Sequence, residues 1–341
     1  MRALVTGSTG FIGSHLCRAL LTQGYKVRAF QRTTSSQLLI ADLEVEPAIG
    51  DLTQPETITA AMQDVDIVFH TASKVDYWRE QNGMYPVTVR GTQNVLQAAL
   101  QNGVKRVVYT SSVAALGVPD LPGFAQKNVA QGKYENPAGL INETHTWNYH
   151  PEWWRYGHAK HMAEREVQTA VAQGLDAVIV NPSMVLGPGD VNRISGEVVV
   201  QVAKKIIKFG IPGGMNGIHV ADAVRGHMDA MERGKTGERY ILGGENLSYF
   251  DLITRTAKIL GVAPPLANLP AALLRPLATP LDWICRLTPM PFNGDILRFA
   301  GQNMFYDTKK AQRELGFRAE KSIEIALGDT YEWYRKNGII G

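Results

Sequence analysis

The apolar run Ala3-Leu4-Val5 passes directly into Thr6-Gly7-Ser8-Thr9-Gly10-Phe11-Ile12-Gly13. A strand must therefore turn on glycines and enter a helix within a few residues. Three glycines at this spacing let a backbone approach a pyrophosphate closely, with the helix N-terminus facing the negative charge. A nucleotide is the first ligand such a turn suggests. An ordinary glycine-rich turn between strand and helix is the alternative, because the motif alone gives false positives.

The residues that follow keep the same rhythm. Strands are expected at Met1 to Thr6, Lys26 to Phe30, Val45 to Gly50, Asp66 to Thr71, Arg106 to Ser111 and Ala177 to Val180. Helices are expected at Ile12 to Gln23, Pro55 to Gln63, a stretch ending in Thr92 to Asn102, and Arg155 to Gln173. Glycines 24, 103 and 174 close three of them. Such alternation predicts an α/β fold, a Rossmann-type doubly wound parallel sheet covered by helices on both faces.

After Pro182 the alternation is lost. Glu197 to Phe209, Lys309 to Gly316 and Ser322 to Lys336 look helical, Arg239 to Leu242 looks like a late strand, and Pro264 to Pro291 is proline-rich, apolar and expected to be irregular. A length of 341 residues suggests roughly two domains. We expect a dinucleotide-type domain over 1–181, with 213–247 returning to it, and a smaller C-terminal substrate-binding cap from 182–212 and 248–341. Between Gly117 and Arg155 lie four prolines and the bulky rings Trp147, Tyr149, Trp153 and Trp154. Rings of that size need something to cover, so this loop is expected to act as a partial lid.

Charge and cysteine content exclude several classes. A net charge of +3 gives no case for nucleic acid or a membrane surface. No apolar run reaches the ~18 residues of a membrane span. The two cysteines, Cys17 and Cys285, show no disulfide framework, no metal-ligand spacing is visible, and the start of the chain has no signal-peptide pattern. A cytoplasmic location is the expectation.

Tyr156 and Lys160 are four apart in the helix before the sixth strand and share one face. An ammonium beside a phenol favours the phenolate, so such a tyrosine can exchange a proton with a carbonyl or alcohol. Tyr306 and Lys310 have the same spacing, but Tyr306 sits far down the presumed cap, just before the helix Lys309 to Gly316, and is expected to be structural, whereas Tyr156 is expected near the carboxyl ends of the sheet, where ligands bind. Ser111 and Ser112 end the fifth strand, where either hydroxyl can face a substrate oxygen or cap a backbone group. His158 and His161 are expected on the helix surface, Lys204 to Lys208 on a solvated helix face, and Asp222 as a helix cap.

Taken in order, Thr6-Gly7-x-x-Gly10-x-x-Gly13, Gly50-Asp51-Leu52, His70-Thr71-Ala72-Ser73, Gly91-Thr92, Thr110-Ser111-Ser112 and Tyr156-x-x-x-Lys160 resemble the extended short-chain dehydrogenase/reductase family. The likeness continues through Asn181-Pro182-Ser183-Met184-Val185-Leu186-Gly187-Pro188 and Ile218-His219-Val220-Ala221-Asp222. Within that family the chain most resembles the bacterial dihydroflavonol-4-reductase-like proteins, which include those labelled hopanoid-associated sugar epimerases.

The resemblance implies Tyr156 as acid/base, Lys160 as the residue that holds the nicotinamide ribose and lowers the tyrosine pKa, and Ser112 as the hydroxyl that orients the substrate oxygen. It places Gly7, Thr9, Gly10, Phe11, Ile12, Gly13, Asp51, Leu52, Thr71, Ala72, Ser73, Thr110, Pro182 and Ser183 along the dinucleotide. It also implies a homodimer paired through the helices after the fourth and fifth strands. The family's usual Asn before Gly91-Thr92 is Thr88 here, which puts its helix bend and proton-relay water in question.

The second strand ends Arg28-Ala29-Phe30-Gln31-Arg32, without the acid that would bond the ribose 2′-hydroxyl of NAD. Arg32 suits the 2′-phosphate of NADP. Val113, Ala114 and Ala115 follow Ser112 where sugar dehydratases of the family carry acids, and Met184 stands where sugar-nucleotide epimerases commonly have Asn. The expectation is an NADP(H)-dependent reductase of a mainly apolar carbonyl compound, with Leu269 to Trp283 among its pocket-lining candidates. A sugar or sugar-nucleotide epimerase is the alternative. A non-catalytic dinucleotide sensor is more remote, since such proteins tend to lose the tyrosine or lysine.

Overall fold

A computed structural model describes residues 1–74, 83–119, 139–288 and 294–340. The first half alternates as its sequence predicts: β1 (Arg2–Thr6), α1 (Phe11–Thr22), β2 (Lys26–Gln31), β3 (Glu46–Ile49), α2 (Pro55–Ala61), β4 (Ile67–His70), α3 (Gly91–Gln101), β5 (Arg106–Thr110), α4 (Arg155–Ala172) and β6 (Ala177–Pro182). The second half adds β7 (Met184–Leu186), α5 (Glu197–Ala203), β8 (Gly214–His219), α6 (Val220–Arg233), β9 (Arg239–Leu242), β10 (Glu245–Ser248) and α7 (Tyr249–Leu260). The chain closes with α8 (Ala271–Leu274), α9 (Ala278–Leu287), α10 (Gly294–Arg298), α11 (Lys309–Leu315) and α12 (Ile323–Lys336).

Seven strands form one parallel sheet in the order β3-β2-β1-β4-β5-β6-β9. Its central strands are apolar on both faces because both are covered. On one face Leu16, Cys17 and Leu20 of α1 meet Val224 and Met228 of α6 and Leu315 of α11. On the other, Ile58 of α2, Val95 and Leu96 of α3 and Val167 of α4 close over Val68 and Val107. Burial pushes the Cys17 thiol up to about 12, so it packs as an inert apolar group.

The strand order reverses between β1 and β4. At such a switch point the loops leave the carboxyl edge in opposite directions and open a crevice. A second sheet, β10-β8-β7, lies beside it, and Leu186, Val200, Leu247, Leu252, Ile323 and Leu327 form its own core. These strands have three to six residues and hold Gly214 and Gly217. That is too short and too weakly alternating for a sequence reading to find them.

Two expectations are corrected. Helix α5 stops at Ala203, so Lys204 to Lys208 is not a helix face. Lys205 takes φ 57, and Ile206 N–H bonds back to the Gln201 carbonyl at 3.0 Å, which closes the helix well before Phe209. Residues 264–288, expected to be irregular, are largely helical. Pro270 caps α8, Pro276 sits in the short 3₁₀ turn Arg275–Leu277, and Pro280 is third in α9, so none removes an interior donor.

Candidate active site

The glycine turn is built by close approach. Gly7 has φ +70, and a Cβ there would lie 2.8 Å from the Ala72 nitrogen. At Gly13 a Cβ would meet the Gly7 carbonyl oxygen at 2.1 Å, so no other residue fits without moving backbone. Helix α1 starts at Gly10 with no side-chain cap and no acid in its first turn. Its first N–H groups and its positive dipole end are therefore left for an anion. This donor set and cradle fit the pyrophosphate of a dinucleotide.

The turn opens into a cavity of about 1470 Å³. Gly7, Thr9, Gly10, Phe11, Ile12, Gly13, Arg32, Asp51, Leu52, Thr71, Ala72, Ser73, Ser112, Tyr156, Pro182 and Ser183 all line it. Thr110 and Lys160 do not. The Thr110 hydroxyl bonds His227 Nε2 at 2.9 Å, and its carbonyl accepts from Lys160 Nζ at 2.8 Å. The remaining wall comes from later elements, with Val198 of α5, Leu252 and Ile253 of α7, and Phe299 after α10.

Residues of the smaller sheet region thus close the crevice of the larger one. The apolar stretch Leu269 to Trp283 is absent from this wall. Leu273, Leu277 and Trp283 point to solvent instead, which corrects their expected role in the pocket.

Tyr156 is buried at the N-terminal end of α4, and Lys160 lies one turn on, buried over the Tyr109 ring at 5.2 Å. The two serines part company. Ser111 Oγ donates to Glu164 Oε1 at 2.5 Å and is committed to the protein. Ser112 Oγ accepts from Ala114 N–H at 3.2 Å, which leaves its proton to donate into the cavity.

Beneath them, Glu164 Oε1 also accepts from Asn181 Nδ2 at 2.6 Å, and that nitrogen donates to the Ser112 carbonyl at 2.9 Å. Glu164 Oε2 pairs with Arg239 Nη1 at 3.0 Å. The sequence reading missed this set. Its signal was an acid four residues after Lys160 on the same buried helix face, since a buried carboxylate requires partners.

Burial pushes the Lys160 ammonium down to about 7, and Glu164 pulls the other way. An unfolded lysine keeps its proton to about 10.4. Between those values the unfolded chain binds the extra proton, so this group makes stability rise with pH as its burial cost is relieved. In dinucleotide-free protein, urea midpoints measured from pH 7 to 10 should rise by this share, and Lys160→Met should flatten that rise. An unchanged slope in the variant would assign it to other groups.

Thr88 lies in a π-helical turn, Pro86–Arg90, that runs into α3. The helix is therefore irregular at this point without the asparagine. Thr92 Oγ1 donates to the Thr88 carbonyl at 2.6 Å, and the Thr88 hydroxyl pairs with Ser73 Oγ at 3.1 Å.

The histidines of α4 are not bare surface groups. His158 Nδ1 bonds the Tyr85 hydroxyl at 2.8 Å, and Trp147 packs against both His158 and His161. Of the expected aromatic lid, 120–138 lie outside the described residues. In the rest, Trp154 lines the cavity against Phe299, with ring centroids 4.9 Å apart. Asp222 is not the cap of α6. His219 Nδ1 caps it, and Asp222 accepts from the Glu320 and Lys321 N–H groups.

The profile of the NAD dependent epimerase/dehydratase family matches residues 3–243. The chain belongs to this family. Among the relatives of this epimerase/dehydratase-family protein, "Putative dihydroflavonol 4-reductase" of Synechocystis sp. is 35% identical, covering 98% of this chain and 95% of the relative. "Sterol demethylase protein B" of Methylococcus capsulatus is 32% identical over the whole of both chains. A crystal structure of a nucleoside-diphosphate-sugar epimerase from Pseudomonas aeruginosa superposes with a TM-score of 0.79 at 28% identity, covering 100% of this chain and 99% of the other. Membership makes this an NAD(P)-dependent oxidoreductase of the epimerase/dehydratase type.

Proposed function

We propose that the protein reduces the carbonyl group of a mainly apolar small molecule, using NADP(H). The observation that carries this reading is a single cavity lined by the glycine turn, by Ser112 and Tyr156, and by apolar residues such as Val198, Ile253 and Phe299. When bound, the reduced nicotinamide supplies a hydride to the carbonyl carbon. Ser112 donates a hydrogen bond to the carbonyl oxygen as negative charge develops there. Tyr156 gives that oxygen its proton, and Lys160, one turn away, eases the loss of the phenolic proton when it carries its own. Oxidation of NADPH followed at 340 nm with a panel of apolar ketones and aldehydes tests the reading. A panel that leaves NADPH unoxidised while NADPH binds tightly would overturn it.

For the adenosine end, Arg32 lines the cavity with the hydroxyl residues Thr34, Ser35 and Ser36, and β2 ends in Gln31. A guanidinium and hydroxyls suit a 2′-phosphate. NADPH should raise the melting temperature more than NADH at equal concentration. Arg32→Ala should weaken NADPH by about 10- to 100-fold, the size of one lost charged hydrogen bond, and leave NADH nearly unchanged.

A second reading is epimerisation of a sugar or sugar nucleotide, favoured by the likeness to the Pseudomonas aeruginosa protein. Preferential stabilisation by NADH would move the balance to it. Met184 in the cavity wall, and the absence of an acid at the end of β2, count against it.

A further inference from the structure

The apolar residues that the cavity does not use form a surface of their own. Leu287 is 82% exposed, Leu266 77%, Trp283 67% and Leu273 65%, values ordinary for lysine and not for these side chains. They are not scattered. From Ala271 to Leu287 the chain is an almost continuous helical run. Leu273, Leu277, Ile284 and Leu287 recur at offsets of 4, 7 and 3, and therefore share one face. That face is turned outward.

The backbone of Lys208 and Gly210 pairs with Leu266, Ala267 and Leu269 at 2.9 to 3.0 Å, which sets exposed Ile206 and Phe209 beside the start of this run. Ile206 and Phe209 also line the cavity, so the outward apolar face is continuous with its wall.

Charge distinguishes what could cover it. The described side chains of segments 198–212 and 262–288 include Lys204, Lys205, Lys208 and Arg275 against one acid, Asp282. Asp282 is already bonded to Arg298 and to the Gly294 N–H. The chain-wide charge of +3 conceals this local excess. A second copy would bring the same cations face to face, whereas an anionic lipid surface complements them. Exposed leucines with an interfacial tryptophan and flanking lysines match the chemistry of the headgroup boundary.

We propose that this face docks on an anionic membrane surface, with the cavity mouth at Ile206–Phe209 turned toward the lipid. No described helix is long and apolar enough to cross a membrane, so the contact is peripheral. The docking does not rest on the reductase reading. If that reading also holds, the apolar substrate enters from the lipid.

Flotation of the full-length protein tests the proposal, using vesicles of phosphatidylcholine alone or mixed with phosphatidylglycerol. The protein should float with the mixed vesicles, and less so at high salt. Leu277→Glu/Leu287→Glu should abolish flotation, and Lys204→Glu/Lys205→Glu should weaken it by more than about tenfold, since each basic residue near an anionic surface contributes about 1 kcal/mol. Neither pair lines the cavity, so melting temperature and dinucleotide binding should be retained. A wild-type protein that stays with the soluble fraction would overturn the proposal. So would sedimentation showing a wild-type dimer that the leucine variant turns into a monomer, which would assign the face to a second copy.

Discussion

Tyr156→Phe should lower carbonyl reduction by about two to four orders of magnitude, the range of a lost general acid, while NADPH still binds. The substitution removes one oxygen and no packing, since Tyr156 lies within the cluster of Met84, Ala114 and Ala159 and the ring remains. The glycine turn, α1 and Arg32 are untouched, so thermal stabilisation by NADPH should be nearly that of the wild type. Paired measurement of turnover and NADPH-induced melting shift separates the chemical role from a structural one. Retained activity would remove Tyr156 from the mechanism. Joint loss of turnover and binding would make it a structural residue of the pocket.

The parts of the site that the sequence makes legible are those where the backbone itself is the ligand-holding group. Gly7, Gly10 and Gly13 announce a tight turn, in which Gly7 and Gly13 leave no room for a Cβ, and the apolar strands on either side announce a sheet buried on two faces. The choice between Ser111 and Ser112 is of another kind. Adjacent strand-end serines have the same composition and spacing; the resemblance points to Ser112, and the position of Glu164 under β5 gives the physical reason, since it takes up the Ser111 hydroxyl.

Apolar residues are ambiguous for a related reason. The apolar residues of Leu269 to Trp283 and the apolar Val198, Leu252 and Ile253 look alike as sequence, yet the first include an exposed face and the second help to wall the cavity. Hydrophobicity states that a residue prefers to be covered, and does not name the cover. Lys204 to Lys208 continues a helical pattern by residue type. Its helix ends because Lys205 adopts a left-handed backbone, which nothing in its side chain requires.

Glu164 is where the largest stability effect is expected. Its two oxygens hold Ser111, Asn181 and Arg239, which lie on or just beyond three adjacent strands, β5, β6 and β9. Glu164→Leu would leave the Arg239 guanidinium without its carboxylate, and Asn181 and Ser111 without their acceptor. Removing one partner of a buried ion pair costs about 3–5 kcal/mol. Arg239 keeps the Glu143 and His145 carbonyls as partners, so the lower end of that range is expected.

Replacing both charges by leucine should recover part of the loss, because no buried charge is then left alone. The interaction term in a double-mutant cycle would measure that coupling. Glu164→Gln keeps an acceptor for Ser111 without the charge and should fall between. If Glu164→Leu unfolds at the wild-type urea midpoint, the network is not holding these strands. If stability falls while the double variant falls by the full sum, the two side chains are not coupled.

Activity adds a further discrimination. Asn181 bonds both Glu164 and the Ser112 carbonyl, so loss of Glu164 loosens the residue that the proposed reduction uses to orient the substrate oxygen. In Glu164→Gln, kcat should fall more than KM rises, because in the proposed reduction Ser112 acts on charge that develops only during the reaction.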